Sequence, residues 1–184
     1  MFETLKEWDR ELFIYLNSLG IEQFDSFWLF VTKIESWIFL FIIFTFLLFK
    51  FYGFKKGGVV FLFVLLTFGI TFLATHLTKV GVARFRPSNN PLLVDVIRVL
   101  QNPTDFSFFS GHASSSFSIT LFVVLVLRKY SKWIYLAFVW PLLFVLSRIY
   151  VGVHYPSDLL VGALVGSVFA VTGYWLCTKV LRNL

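Results

Sequence analysis

Charge is scarce in this chain. Asp, Glu, Lys and Arg make up 14% of its 184 residues, well below the roughly 25% of an ordinary soluble domain. With 58% hydrophobic and 21% aromatic residues, there is too little polar surface to cover a water-soluble body, so the composition points to an integral membrane protein. Cysteine is nearly absent. Cys177 stands alone in an apolar stretch, which excludes an internal disulfide and a multi-cysteine metal site. It reads as a small buried hydrophobe. The carboxylates are few and scattered, and none of them form a cluster that would suit magnesium. The positive balance of +6 does not indicate a nucleic-acid partner, because the cations sit in short clusters between apolar runs. A signal peptide is not expected either: Glu3, Glu7, Asp9 and Glu11 fall where its apolar core would lie.

What is present is a series of apolar runs. A bilayer-spanning helix needs about 20 mostly apolar residues. Five candidates occur, at 35–52, 57–79, 111–128, 132–150 and 157–178. The expected fold is all-α: a polytopic membrane bundle of five helices, 35–184, preceded by an N-terminal interfacial region, 1–34, in one membrane-embedded domain. Residues 2–18 carry Phe2, Leu5, Trp8, Leu12, Tyr15 and Leu19 at helical spacing, the pattern of an amphipathic surface helix. A sixth span over 10–33 is the alternative. Asp9, Arg10, Glu11, Glu22 and Asp25 argue against it.

Sidedness follows from the linkers. Lys50, Lys55 and Lys56, then Arg128, Lys129 and Lys132, then Lys179 and Arg182 form three basic groups free of Asp and Glu. The positive-inside rule places all three in the cytoplasm. Residues 80–110 and 150–157 then face the opposite side, together with the N-terminal region.

Three segments on that outer side hold most of the residues able to do chemistry: Lys79-x6-Arg86-Pro87, Ser110-Gly111-His112, and Ser147-Arg148-x5-His154-x3-Asp158. They close the second span, open the third and bridge the fourth to the fifth. Parity therefore brings all three to one face. Pro87 biases Arg86 towards extended backbone, from which a planar guanidinium fork can meet phosphate oxygens. Ser110 reads as a helix N-cap, and the free amides behind it, with Gly111, offer an anion site. Arg148 at a span end needs an anion or water. Asp158, in the first turn after Pro156, can fix the tautomer of His154 and make its other nitrogen a nucleophile. Lys79 is open between a phosphate contact and interfacial snorkelling. Arg84 reads as a surface cation, Ser115 and Ser116 as helix-packing residues, and His76 receives no role. Residues 92–100 form either an interfacial apolar helix bordering an entrance or a loop packed on the bundle.

These three segments, in this order and spacing, resemble the type 2 phosphatidic acid phosphatase superfamily over about residues 57–178. One departure is Phe109, where the family usually has proline before Ser-Gly-His. The resemblance implies a metal-independent lipid phosphatase without cofactors. In that mechanism His154 attacks phosphorus, Asp158 orients it, and His112 protonates the leaving oxygen. Lys79, Arg86, Ser110, Gly111 and Arg148 hold the phosphoryl oxygens. It further implies a lipid phosphate or diphosphate partner, with undecaprenyl diphosphate expected first and phosphatidylglycerol phosphate, phosphatidic acid and lipid A as alternatives. It also implies a bacterial inner membrane, with the site on the outer face. Two rivals from other classes are a vanadium haloperoxidase, against which five apolar spans argue, and an anion transporter. The latter leaves the His154–Asp158 pair without a purpose.

Overall fold

The structure, a computed structural model, describes residues 2–184, with the Phe2 side chain outside the described part. Its helices are α1 (Phe2–Ser18), α2 (Asp25–Val31), α3 (Ile38–Val82), α4 (Gly111–Leu127), α5 (Val139–Tyr150) and α6 (Pro156–Arg182). Short 3-10 turns join several of them, and no strand occurs among the described residues. The stretch expected to span at 132–150 is a 3-10 segment, Lys132–Phe138, running into α5.

The first two expected spans are the two arms of α3, with no loop between them. The helical path is broken at Gly53 alone, with φ 70° and ψ 177°. Only glycine adopts that conformation without strain. The chain doubles back there: a Cβ placed on Gly57 would lie 3.1 Å from the Cα of Phe49, whereas eight residues of straight helix cover about 12 Å. By length and composition, Ile34–Asn89, Lys132–Tyr150 and Pro156–Arg182 can cross a membrane, and Gly111–Leu127 is a shorter apolar helix. The first of these stretches holds two crossings because of the reversal, so the protein is a helical membrane bundle of about five spans.

α4 and α6 form the centre of the bundle. Gly162 and Gly166, one helical turn apart, let the two backbones meet. A Cβ on Gly166 would come within 2.1 Å of the Ser114 carbonyl oxygen, and one on Gly162 within 2.7 Å of that of Ser110. Such small-residue contacts drive helix association where lipid gives no hydrophobic force. They also set the start of α4, with Ser110–His112, beside the start of α6, with Asp158. The main core lies around Leu48, Val60, Phe122, Trp140, Phe144 and Cys177, and reaches the site at Phe144.

The basic linkers meet as parity requires. Lys56, Lys129 and Arg182 line one cavity of about 400 Å³ with Tyr52, Tyr130 and Tyr174. None of the residues that carry the three motif segments line it.

α1 is the predicted amphipathic helix, but its apolar stripe faces outward. Leu5, Trp8, Leu12, Tyr15 and Leu19 are exposed, as a helix lying in the membrane interface requires, while Phe13 and Asn17 are buried against the bundle. Asn17 Nδ2 donates to the carbonyls of Arg98 and Ile149 at 3.1 and 3.0 Å, and its Oδ1 accepts from Arg98 N at 2.7 Å. Residues 92–100 form turns rather than a helix. Leu93 and Ile97 pack against Phe13, Ile149 and Tyr155, while Leu92 and Val96 stay exposed.

Candidate active site

Five of the residues singled out by the sequence, Lys79, Arg86, His112, Arg148 and His154, line one cavity of about 610 Å³. Gly111 lines it too, as do Asp105, Gln101, Thr32, Lys33 and His76. The convergence expected from span parity is therefore present in the fold. Two further residues, Asp158 and Ser110, stand behind the cavity wall.

His154 lies in the turn between α5 and α6, and Asp158 lies in the first turn of α6. Their separation of four residues puts Nδ1 of His154 3.3 Å from Asp158 Oδ2. The other ring nitrogen, Nε2, is 3.0 Å from Arg86 NH1. A guanidinium has donors and no acceptor, so Nε2 must present its lone pair and Nδ1 must carry the proton towards Asp158. The tautomer is thus set from both sides. Burial, then the charges of Arg86, Arg148 and Lys79, push the His154 imidazole well below its ordinary value. It is neutral at physiological pH.

Asp158 is fully buried and well supplied with donors. Oδ2 accepts from Tyr155 N at 3.0 Å, closing the N-terminus of α6, and from the Ser107 hydroxyl. Oδ1 accepts from Arg84 NH1 at 2.7 Å. Arg84 is therefore not the free surface cation that the sequence suggested. It also donates to Ser157 Oγ at 2.8 Å and to Asp9 Oδ2 at 2.8 Å, and its guanidinium lies 3.9 Å over the Tyr155 ring. Asp9 Oδ1 in turn accepts from Ser157 N at 2.8 Å. A chain of charges thus runs from α1 through Arg84 to Asp158.

The cations of the cavity are held by neighbouring backbone carbonyls and by polar side chains of its own wall. Arg86, before Pro87, has the expected extended backbone, with φ −71° and ψ 154°. Its Nε donates to the Asp105 carbonyl at 2.8 Å and NH1 to the Val153 carbonyl at 3.0 Å. Lys79, in the last turn of α3, donates to the carbonyl of Phe106 and to Asp105 Oδ2 at 2.8 Å. Arg148 NH1 donates to Gln101 Oε1 at 3.0 Å and to the Thr32 hydroxyl. Its Nε is buried with no hydrogen-bond partner among the described residues, a donor still free for an anion.

His112 sits in the first turn of α4 with its ring 4.6 Å from that of Phe144. Ser110 is completely buried, and its hydroxyl caps α4 by accepting from Ala113 N at 3.4 Å. Ser110 N donates to the Asp158 carbonyl at 3.0 Å. Ser110 does not line the cavity; Gly111 beside it does. Phe109, where the family's usual proline is replaced, is buried.

The sequence reading missed Arg84, Asp105, Thr32 and Asp9. The first is paired with a residue 75 positions away, and Thr32 meets Arg148 across 116 positions. Neither pairing leaves a local spacing to read.

A neutral histidine with a defined lone pair, a buried carboxylate behind it and three cations around one cavity suits attack on phosphorus. The family model described as PAP2 superfamily matches residues 57–182, the stretch that carries every one of these motif residues. The chain belongs to the PAP2 superfamily. Lipid A 4'-phosphatase of Porphyromonas gingivalis is 31% identical over 175 residues, covering 90% of this chain and 71% of the relative. Undecaprenyl-diphosphatase of Sulfolobus acidocaldarius is 31% identical over 159 residues, covering 85% and 72%. The crystal structure of a transmembrane PAP2-type phosphatidylglycerolphosphate phosphatase from Bacillus subtilis superposes with a TM-score of 0.74. It covers 98% of this chain and 88% of its own at 21% identity, a likeness of fold. This PAP2 protein is a membrane lipid phosphatase, a hydrolase of phosphate esters.

Proposed function

We propose that this PAP2 phosphatase works through a phosphohistidine on His154. The observation that carries the proposal is the lone pair of Nε2, held towards Arg86 and the cavity while Nδ1 faces Asp158. Nε2 attacks phosphorus, and the P–O bond to the leaving group breaks. His112 supplies the proton to the departing oxygen. Water then attacks the phosphohistidine, with His112 accepting its proton, and phosphate leaves. Lys79, Arg86 and Arg148 offset the charge spread over the equatorial oxygens, and the Gly111 amide at the start of α4 adds a further donor. Ser110 contributes by capping α4 and holding that amide in place. Asp158 orients His154, and Arg84 holds Asp158.

The site faces the outer side of a bacterial inner membrane in this reading, and residues 1–184 form one phosphatase domain. The three basic groups gathered at the opposite end of the bundle support that orientation.

The substrate is a lipid phosphate whose apolar part lies among the helices. The three deep cations suit one phosphoryl group, so a phosphomonoester ranks first, of the kind named in the lipid A 4'-phosphatase relative. The undecaprenyl-diphosphatase relative supports a second reading, an isoprenyl diphosphate. Its second phosphate would meet Lys33, the one further Lys or Arg lining the cavity among the described residues. Purified protein assayed in detergent against lipid A, undecaprenyl diphosphate, phosphatidylglycerol phosphate and phosphatidic acid decides between them, with His154→Ala as control. Preference for lipid A, with Lys33→Ala without effect on it, supports the first reading. Preference for the diphosphate, lost in Lys33→Ala, supports the second. Phosphate release that persists in His154→Ala would overturn the mechanism.

A further inference from the structure

The cavity contains an anion of its own. The carboxylate of Asp105 bridges the two cations that the mechanism assigns to phosphate: Oδ2 lies 2.8 Å from Lys79 Nζ and Oδ1 2.7 Å from Arg86 NH2. We propose that Asp105 is a built-in counter-ion that occupies the phosphoryl position between turnovers, is displaced by substrate, and returns to expel product phosphate. The proposal rests on the phosphatase reading above and adds a residue that sets affinity rather than chemistry.

The three side chains differ in how firmly they are held. That of Asp105 is 56% exposed, while those of Lys79 and Arg86 are 11% and 5% exposed. Each cation has an anchor independent of the carboxylate. Arg86 is tied to the carbonyls of Asp105 and Val153, and Lys79 to the carbonyl of Phe106. The carboxylate can therefore swing to the mouth of the cavity by side-chain rotation, leaving both cations in place with unpaired donors. No backbone movement is needed, since the Asp105 carbonyl keeps its bond to Arg86.

The exchange is anion for anion. Burial raises the Asp105 carboxyl, but Lys79 and Arg86 more than offset it and hold the group at about 2. It stays ionised at any working pH, so protonation does not release it and a competing anion must. A phosphomonoester dianion brings more charge and more acceptor oxygens to the same donors. It also gains Arg148, whose guanidinium the carboxylate does not reach in any hydrogen bond of this structure. A resident carboxylate screens two buried cations from each other when no substrate is bound. It also weakens the binding of inorganic phosphate, which would otherwise remain on those cations after hydrolysis.

The test uses the full chain purified in detergent, wild type against Asp105→Asn, Asp105→Ala and the charge-retaining Asp105→Glu. Equilibrium binding of radiolabelled inorganic phosphate is measured first, because it needs no turnover. Removing the competing carboxylate should tighten phosphate binding about fivefold to tenfold, the scale of a partly exposed pair of ion contacts. KM for the lipid phosphate should fall in step, with kcat unchanged or lower and inhibition by product phosphate stronger. Asp105→Glu should stay within about twofold of wild type, since it restores the competing charge. A residue that merely braced the loop would show the reverse, with KM raised and phosphate bound more weakly. Phosphate affinity unchanged or weakened in both uncharged variants, with melting temperatures at the wild-type value, overturns the counter-ion while leaving the phosphatase intact. Failure of the wild type and every variant to bind phosphate or hydrolyse any lipid phosphate overturns both.

Discussion

Replacing Arg84 with leucine should damage the protein in two measurable ways. Arg84 NH1 donates to Asp158 Oδ1 at 2.7 Å, and NH2 donates to Asp9 at 2.8 Å. Leucine keeps much of the stem and removes both charges' partner. Breaking a buried pair by deleting one member costs about 3–5 kcal/mol. Asp158 is wholly buried, but it retains Tyr155 N, the Ser107 hydroxyl and His154 as partners, and the Arg84 side chain is 25% exposed. The loss should therefore resemble that of one charge-assisted hydrogen bond to a buried group, about 2 kcal/mol of stability. Catalysis should suffer further, since Asp158 fixes the position of His154. A tenfold to hundredfold loss of kcat/KM is expected, about the effect of removing an outer-sphere partner in other sites. Denaturant titration in detergent reads the first effect and steady-state hydrolysis the second. Asp9→Asn, made alone and in the Arg84→Leu background, completes a double-mutant cycle and should show a coupling of about 0.5–1 kcal/mol. Wild-type stability and turnover in Arg84→Leu would refute the reasoning, because the Arg84–Asp158 contact would then carry no weight.

Other expectations follow from the same geometry. His154 is held well below the ordinary imidazole value, so its nucleophilic form persists as pH falls. The acid limb of the kcat/KM profile should lie below pH 6.5; an acid limb above 6.5 would contradict the assignment. Stability carries the matching sign: the unfolded chain takes up this proton near 6.5 and the folded one does not, so the contribution of His154 is present above pH 6.5 and is lost as pH falls below it. Gly166→Val should destabilise the bundle by about 1–3 kcal/mol or more, because a Cβ there meets the Ser114 carbonyl at 2.1 Å. Unchanged thermal stability in detergent would remove the α4–α6 contact from the account. Hydrolysis should survive exhaustive chelation of divalent cations, and loss restored by added metal would contradict the histidine mechanism.

Much of this was legible in the chain, for identifiable reasons. Bilayer hydrophobicity writes long apolar runs into a sequence, so five spans could be placed, and parity alone predicted that Lys79, His112 and His154 share one end. The reversal at Gly53 was less visible, since Lys50, Lys55 and Lys56 read as a loop while the helix continues almost to the turn itself. Gly162 and Gly166 were present in the fifth span, yet small residues in an apolar run do not say which helix they face. The longest-range pairings left least trace. Arg84 and Asp9 look like ordinary interfacial charges until the fold brings α1 against the start of α6. Asp105 sits in a loop whose local pattern says only turn. Ser110 shows the opposite case: its N-cap reading is visible in the local pattern and holds, with the buried hydroxyl accepting from Ala113 N.

The central claim, that the lone pair of His154 Nε2 attacks phosphorus, is tested most directly by trapping the intermediate. Wild-type protein turning over a radiolabelled lipid phosphate is quenched in strong base and mapped by peptide. The account predicts an alkali-stable, acid-labile phosphoryl group on His154, absent from His154→Ala, which folds but does not turn over. Label on another residue, or wild-type turnover by His154→Ala, would contradict it.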